Sequence, residues 1–444
     1  MSVQVSPVDV VTEPKLILND RDRQACLAQL LEQRQPLEGE NWLQGVRDRA
    51  LNLLSDQALP STRDEDWRFT DLSPLYRTAF RPASPVRVTA SDLEPWVASD
   101  LPVRITLING VLTPEFSTLD RLPDGVTVQP LSALDERLQP YLSGQQGMNE
   151  VFTALNTVSF TDGVALVIGK NRQIETPIHL LCLTVPGAEP TVITPRVLVV
   201  AESGSAAVLV EEYGAIGNGT YWTNAVAEVV VANNAQLQHT RIQREAAAAF
   251  HIGKTAVSQG RDSRYSLASL SIGAQIARHN PEIVLTGIQT ETHLNGLTVA
   301  TDTQLADTHS LIHFSQPHCI AKQLNKCIAG DRAHAVFNGR VEVPKAAQQT
   351  NAAQLSRNLL LSSKARIDTK PQLEIVADDV KCAHGATVSQ LDDEEIFYLQ
   401  SRGLDRQSAC DLLVKGFAAE ITEKVPSAEL RSRLLPVILQ LLNF

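Results

Sequence analysis

Between about Gly163 and Leu391 the chain is written in short runs that alternate apolar and polar residues, broken by small or polar turn residues. The runs include ALVIG (165–169), PRVLVVAE (195–202), AAVLVEEY (206–213), RYSLASLSIG (264–273), AHAVFNGRVEV (333–343) and PQLEIVAD (371–378). Alternation with period two predicts strands. No helical pattern between them is long enough to build βαβ crossovers. GSAAVLV at 204, NAQLQHTRI at 234 and DSRYSLASL at 262 each open with a turn and then alternate, 28 to 30 residues apart, and SKARIDT at 363 repeats the form. Units too thin to bury their own faces, recurring at a fixed period, are the signature of stacked β coils. The expected class is therefore mainly β: a right-handed parallel β-helix core flanked by N-terminal and C-terminal helical domains, with a sandwich as second choice.

The flanks change period. Asn19 or Asp20 is placed to cap a helix over Arg21–Gln33, and Trp42, Leu43, Val46, Ala50, Leu51 and Leu54 make a helical stripe over Asn41–Leu54. Trp67, Phe69 and Leu72 in RDEDWRFTDL (63–72) are expected to dock this arm on the body. Residues 81 to 145 read as a connecting α/β region, with strands at Val103–Ile108 and Val126–Val128 and helical pieces around Leu131–Leu142, and Met148–Thr157 reads as a further helix. After Leu391 the strand period stops. Asp392 and Glu395 form a D-x-x-E capping box, Ile396, Phe397 and Leu399 supply apolar positions, and Gly403 is the predicted stop. Asp405 caps a helix with Ala409, Leu412, Leu413, Phe417 and Ile421 on one face, and Pro426–Ser427 opens a leucine-rich helix kinked at Pro436. Its Leu434, Leu435, Val437, Ile438, Leu441 and Leu442 exceed what one buried face needs, and suit either core or a partner surface. The expected units are 1–80, 81–160, 161–391 and 392–444. Because a solenoid exposes an edge at each end, the helical units are expected to close them.

Composition narrows the function. The 444 residues are 43% hydrophobic but only 5% aromatic, which suits narrow stacked cores. A net charge of −11 without a basic run argues against nucleic-acid binding. The start MSVQVSPVDVVTEPK has neither a basic nor an apolar leader region, and no stretch of about 18 apolar residues occurs, so neither secretion nor membrane spanning is expected. Six cysteines (26, 182, 319, 327, 382, 410) without a CxxC read as reduced, mostly buried thiols.

Asp378, Asp379, Lys381, Cys382 and His384 are the densest ionisable group in a strand context, at the junction with the helical tail. Alternate residues of a strand share a face, so Cys382 and His384 point the same way. Thiolate and imidazole are both iron donors. The plain alternative is a satisfied histidine, a buried thiol and two turn aspartates. His309, His313, His318 and Cys319 form a second cluster without a carboxylate at ligand spacing, and His239, His251, His279 and His334 read as structural. Gly253-Lys254-Thr255 resembles the end of a phosphate loop, but Ala248 stands where the loop needs glycine.

Long stretches resemble the SufB/SufD family of iron–sulfur cluster assembly scaffold proteins: THSLIHFSQPHC (308–319), VFNGRVEV (336–343), QLSRNLLLSSKARIDTKPQLEIVADDVKCAHGATVSQL (354–391) and FYLQSRG (397–403), with a weaker match at RDEDWRFTDL. Leu355 stands where SufB members carry a cysteine, which sets the chain on the SufD side. The resemblance implies a non-catalytic scaffold that pairs with a SufB-like protein and a SufC-like ABC ATPase. It implies no cofactor held tightly by the isolated chain, only transient iron or a nascent cluster, with His384 as first candidate ligand and Cys382 as second. For the ATPase contact it points to Asp392–Glu420, in particular Asp392, Glu395, Phe397, Tyr398, Arg402, Leu412 and Phe417. A homodimer of the lone chain, and a cytoplasmic location or its plastid-stroma equivalent, belong to the same expectation. The alternative is a polysaccharide-active β-helix enzyme using Asp378, Asp379 and His384. It is disfavoured by the missing leader and the scarcity of aromatic sugar platforms.

Overall fold

A computed structural model describes residues 20–34 and 41–441. The chain winds through two parallel sheets and changes sheet at almost every turn. One sheet carries, in order, Arg196–Ala201, Tyr221–Val231, Phe250–Gln259, Ile276–Leu285, Leu305–Phe314, His334–Val343 and Arg366–Ile375. The other carries Ile178–Thr184, Ala206–Ala215, Gln236–Glu245, Arg264–Gly273, Glu291–Ala300, Ile320–Ala329, Thr350–Leu360 and Val380–Gln390. This is a parallel β-solenoid of about eight turns. Gln236 lies beside Ala206 and Arg264, a step of 30 residues on one side and 28 on the other, which is the spacing of the sequence repeat.

One corner of the coil needs left-handed backbone. Asn234, Asp262, Gln289, His318 and Gln349 occupy it in five successive turns, with φ between 57° and 62°. Short polar side chains tolerate that conformation best. His318 is thus a corner residue.

Alternate side chains point into the lumen, and most are apolar: Leu237, Val257, Leu267, Ile283, Ile312 and Val341 belong to one continuous core. A polar plug interrupts it. His239 Nε2 lies 2.8 Å from Glu211 and its Nδ1 2.9 Å from the Tyr265 hydroxyl. His251 lies 2.7 Å from Glu245 and also bonds Arg241, while His279 contacts Thr255 and Ser269. Burial alone would raise Glu211, but hydrogen bonds from His239 and Tyr213, with the Arg241 charge, hold it below the usual carboxylate range. His334 pairs with Asp368 on the outside.

The N-terminal arm packs on the outer face of the first sheet. Helices Asp20–Glu32 and Asn41–Ser55 are present; Asn19, the other candidate cap, lies outside the described residues. Trp67, Phe80, Phe152, Trp222 and Phe250 form one aromatic cluster with centroids 5.3 to 5.9 Å apart. Arg278 stacks 3.7 Å over Trp67, and its Nη1 bonds Asp307 and the Asp66 carbonyl. Phe69 remains half-buried, between Arg68 and Arg366. In the connecting region Val103–Ile108 pairs in parallel with Ile178–Thr184, so it extends the solenoid. Val126–Pro130 pairs antiparallel with Val164–Ile168. The pieces around Leu131–Leu142 are two short 3-10 turns, Leu131–Ala133 and Gln139–Tyr141, and the helix expected at Met148–Thr157 runs Val151–Ser159.

The tail does not close the far end. Its helices Arg406–Thr422 and Ala428–Leu441 turn back along the outer face of the second sheet, where Val414, Ala418, Ile421, Leu434 and Ile438 bury against Leu270, Leu297 and Ile328. Leu442 lies outside the described residues. Ser427 bonds Asp100, Glu429 bonds Ser99, and Arg433 bonds the carbonyls of Pro95 and Val97. Those contacts anchor the tail sideways, because apolar area and cap partners both lie on that flank. The last turn of the solenoid keeps two edge strands, Arg366–Ile375 and Val380–Gln390.

Candidate functional site

Every inner turn is stacked between two neighbouring turns, but the last turn has a neighbour on one side only. Val380–Gln390 pairs with Thr350–Leu360 and, among the described residues, with no further strand. Its lumen-facing residues Val380, Cys382, His384, Ala386 and Val388 therefore surround the open mouth. Val388 (48% exposed), Ile375 (41%) and Val376 (64%) are large apolar side chains facing solvent there. In any inner turn the same alternation would be core.

Cys382 and His384 lie two residues apart on one face, about 7 Å along the strand. His384 is exposed and stands beside Gln354; Cys382 stands beside Ala352 and packs partly on the lumen core. Burial pushes the Cys382 thiol up, with a backbone hydrogen bond at Ala352 opposing it, so its thiolate is disfavoured. Of the two donors the imidazole is the readier. Among the described residues no group of three or more His, Cys, Asp and Glu side chains comes together to hold a metal ion. Leu355 lies beside Gly385 on the other side of the sheet from His384.

The rest of the polar junction disperses. Asp378 and Asp379 are exposed in the turn before the last strand, where the Asp379 N–H donates to Gln348 Oε1 and its carbonyl accepts from the Gln349 N–H. Lys381 points outward, away from the His384 face. His309 lies 3.5 Å from Asp66 under the N-terminal arm, and burial, with the Arg278 charge, pushes its imidazole down to about 2. His313 pairs with Glu342, and Cys319 donates to the carbonyls of Gly287 and Pro317. Gly253-Lys254-Thr255 lies within a strand, with Lys254 bonded to Glu282 and Thr255 to His279.

Beyond the mouth the helix Asp393–Ser401 begins at Asp392, whose carboxylate caps the N–H of Glu394 and not of Glu395. Gly403, at φ 96°, ends it as expected. Phe397 (72% exposed), Tyr398 (57%) and Leu412 (47%) project from this helix and the next, with Arg402 stacked on Tyr398 and Glu395 exposed beside them. Phe417 differs. It is half-buried under Lys326, which stacks 4.6 Å over its ring, so it belongs to the joint between tail and solenoid. Leu404, also exposed, adjoins the patch and was not singled out by its sequence context.

Comparison with known proteins matches residues 184–417 to the SUF system FeS cluster assembly, SufBD core domain, and residues 27–180 to the SufBD protein N-terminal region. The chain belongs to the SufB/SufD family. An iron–sulfur cluster assembly SufBD family protein of Synechocystis is 44% identical over 401 residues, covering 87% of this chain and 88% of that protein. Protein ABCI7, chloroplastic, of Arabidopsis thaliana is 35% identical (88% and 84% covered), and the iron–sulfur cluster assembly protein SufD of Escherichia coli 30% (87% and 90%). The Escherichia coli SufD and the SufBD family models support a SufD-like member. A SufD-like chain of the SUF system is thus a component of iron–sulfur cluster assembly, and no helix among its described residues is long and apolar enough to cross a membrane.

Proposed function

We propose that this chain is a non-catalytic scaffold subunit of the SUF machinery. It pairs through the open turn with a SufB-like protein and through Asp392–Glu420 with a SufC-like ABC ATPase. Iron or a forming cluster is cargo at the first of these contacts, with His384 as donor from this side and Cys382 in reserve. The observation that carries the reading is the uncovered terminal turn: two unpaired strand edges and three exposed aliphatic side chains surround an exposed imidazole. An unpaired edge recruits a strand from another chain, and exposed apolar neighbours supply the area to hold it. A lone imidazole with a disfavoured thiol leaves most ligand positions to the partner, which suits transient holding better than storage. The helix patch of Phe397, Tyr398 and Leu412 lies on the two helices that follow the mouth and is assigned to the second partner. The same edge accounts for a homodimer when the chain is alone. A cytoplasmic or plastid-stromal location fits reduced cysteines and the chloroplastic relative.

Co-expression of this chain with a SufB-like and a SufC-like protein tests the reading. Both are expected to co-purify with it, and hydrogen exchange is expected to slow at 380–390 with the first and at 393–412 with the second. Co-purification of neither partner overturns it.

A further inference from the structure

A ladder of side chains runs inside the solenoid toward the open turn. Gln323 donates from Nε2 to Ser310 Oγ at 2.7 Å, and Gln354, one turn later, donates from Nε2 to Gln323 Oε1 at 2.8 Å. The two glutamines are register neighbours, stacked as amide ladders stack in parallel sheets. Gln354 is 2% exposed, and its amide sits over Gly339, where an added Cβ would stand 2.2 Å from Nε2. Its N–H2 donates back down the ladder, which leaves its carbonyl oxygen for the side of the last turn. That oxygen is buried and has no hydrogen-bond partner among the described residues. A buried orphan acceptor is rare enough to need an explanation.

The next register position is His384. On that face of the last strand Val380, Ala386 and Val388 bring no donor and Cys382 only a weak one, and the nearby Thr369 hydroxyl is committed to Ser356. We infer that Gln354 is the positioning residue of the site: its Oε1 accepts the N–H of one His384 ring nitrogen, and so turns the other nitrogen, with its lone pair, out of the mouth. A ligating histidine commonly gives its second N–H to a carbonyl, which fixes tautomer and ring orientation and strengthens the donor. The inference rests on the proposed role of His384, but it is tested apart from it.

The test reads the tautomer of His384 by 15N NMR of the full chain labelled in histidine, with His384→Asn assigning the signal. The native chain is expected to show one fixed neutral tautomer. Gln354→Met should release it to the two-tautomer mixture of free imidazole, and Gln323→Met, which removes the acceptor that holds the Gln354 amide, should loosen it in part. If Gln354→Met does not fold, Gln354→Glu keeps an acceptor oxygen at the same place and is expected to keep the single tautomer. A tautomer insensitive to Gln354→Met, a two-tautomer mixture in Gln354→Glu, or a ring that accepts a proton from Gln354 overturns the inference. If the tautomer responds as expected but the assembled complex still loads a cluster on His384→Ala, the hydrogen bond stands and the donor role of His384 fails.

Discussion

Lys326 donates from Nζ to the backbone carbonyl of Phe417 at 2.8 Å, stacks on the same ring and pairs with Glu420 at 2.6 Å. One cation on the outer face of the solenoid thereby pins the helix Arg406–Thr422. Lys326 is 4% exposed along its side chain while Glu420 is 47% exposed, so the weight lies in the carbonyl bond and the ring contact, not in the ion pair. Lys326→Met keeps the stem but loses the donor. It should cost about 1 kcal/mol, the net worth of one hydrogen bond and a cation–ring contact, since the Phe417 carbonyl keeps its helical partner, and increase hydrogen exchange over 406–441 without loosening the coil. Urea unfolding with exchange mass spectrometry reads both.

The open turn predicts a specific loss of association. Val388→Asp places a charge on a surface already exposed in the lone chain, so stability should stay within about 0.5 kcal/mol. Affinity for the SufB-like partner should fall tenfold or more, because that charge would be desolvated in the interface. Titration calorimetry against the partner checks it, with the SufC-like protein as an unaffected control.

The helix patch predicts the reverse selectivity. Phe397→Asp should weaken the SufC-like contact by at least tenfold and leave the SufB-like one intact, since Phe397 is 72% exposed and supports no core. Size-exclusion chromatography of pairwise mixtures separates the two outcomes.

Acid sensitivity has a local source. The His309 imidazole is pushed down to about 2 by burial and then by Arg278, while the unfolded chain titrates near the ordinary histidine value of about 6.5. Below that value the unfolded state binds a proton that the folded state refuses. This contribution to stability is complete above pH ~6.5 and is lost as pH falls, by about 1.4 kcal/mol per pH unit. His251 and His279, also lowered by burial, add in the same direction. His309→Asn should reduce the pH slope of the urea midpoint between pH 6.5 and 5 by about one proton.

Much of the architecture was legible in the sequence because a solenoid repeats locally: the turns at 204, 234 and 262 return as coil corners, and the period switch at Asp392 returns as a helix start. Partnerships across turns were not legible. His239 meets Glu211 from 28 residues away, and no short motif encodes such a pair. The apolar character of Ile375, Val376 and Val388 was visible, but only the absence of a further coil makes them surface. Sequence likewise put Phe417 on the partner face, whereas the 91-residue reach to Lys326 draws it inward. The coil's open mouth went unforeseen because docking of the tail on the side sheet depends on tertiary contacts to Asp100 and Pro95.

The most direct measurement compares native and His384→Ala chains assembled with the SufB-like and SufC-like proteins, reading iron and acid-labile sulfide per complex after anaerobic reconstitution. The predicted result is an assembly of unchanged mass that holds little or no cluster in the variant. A variant complex that carries the native amount of iron and sulfide would contradict the account.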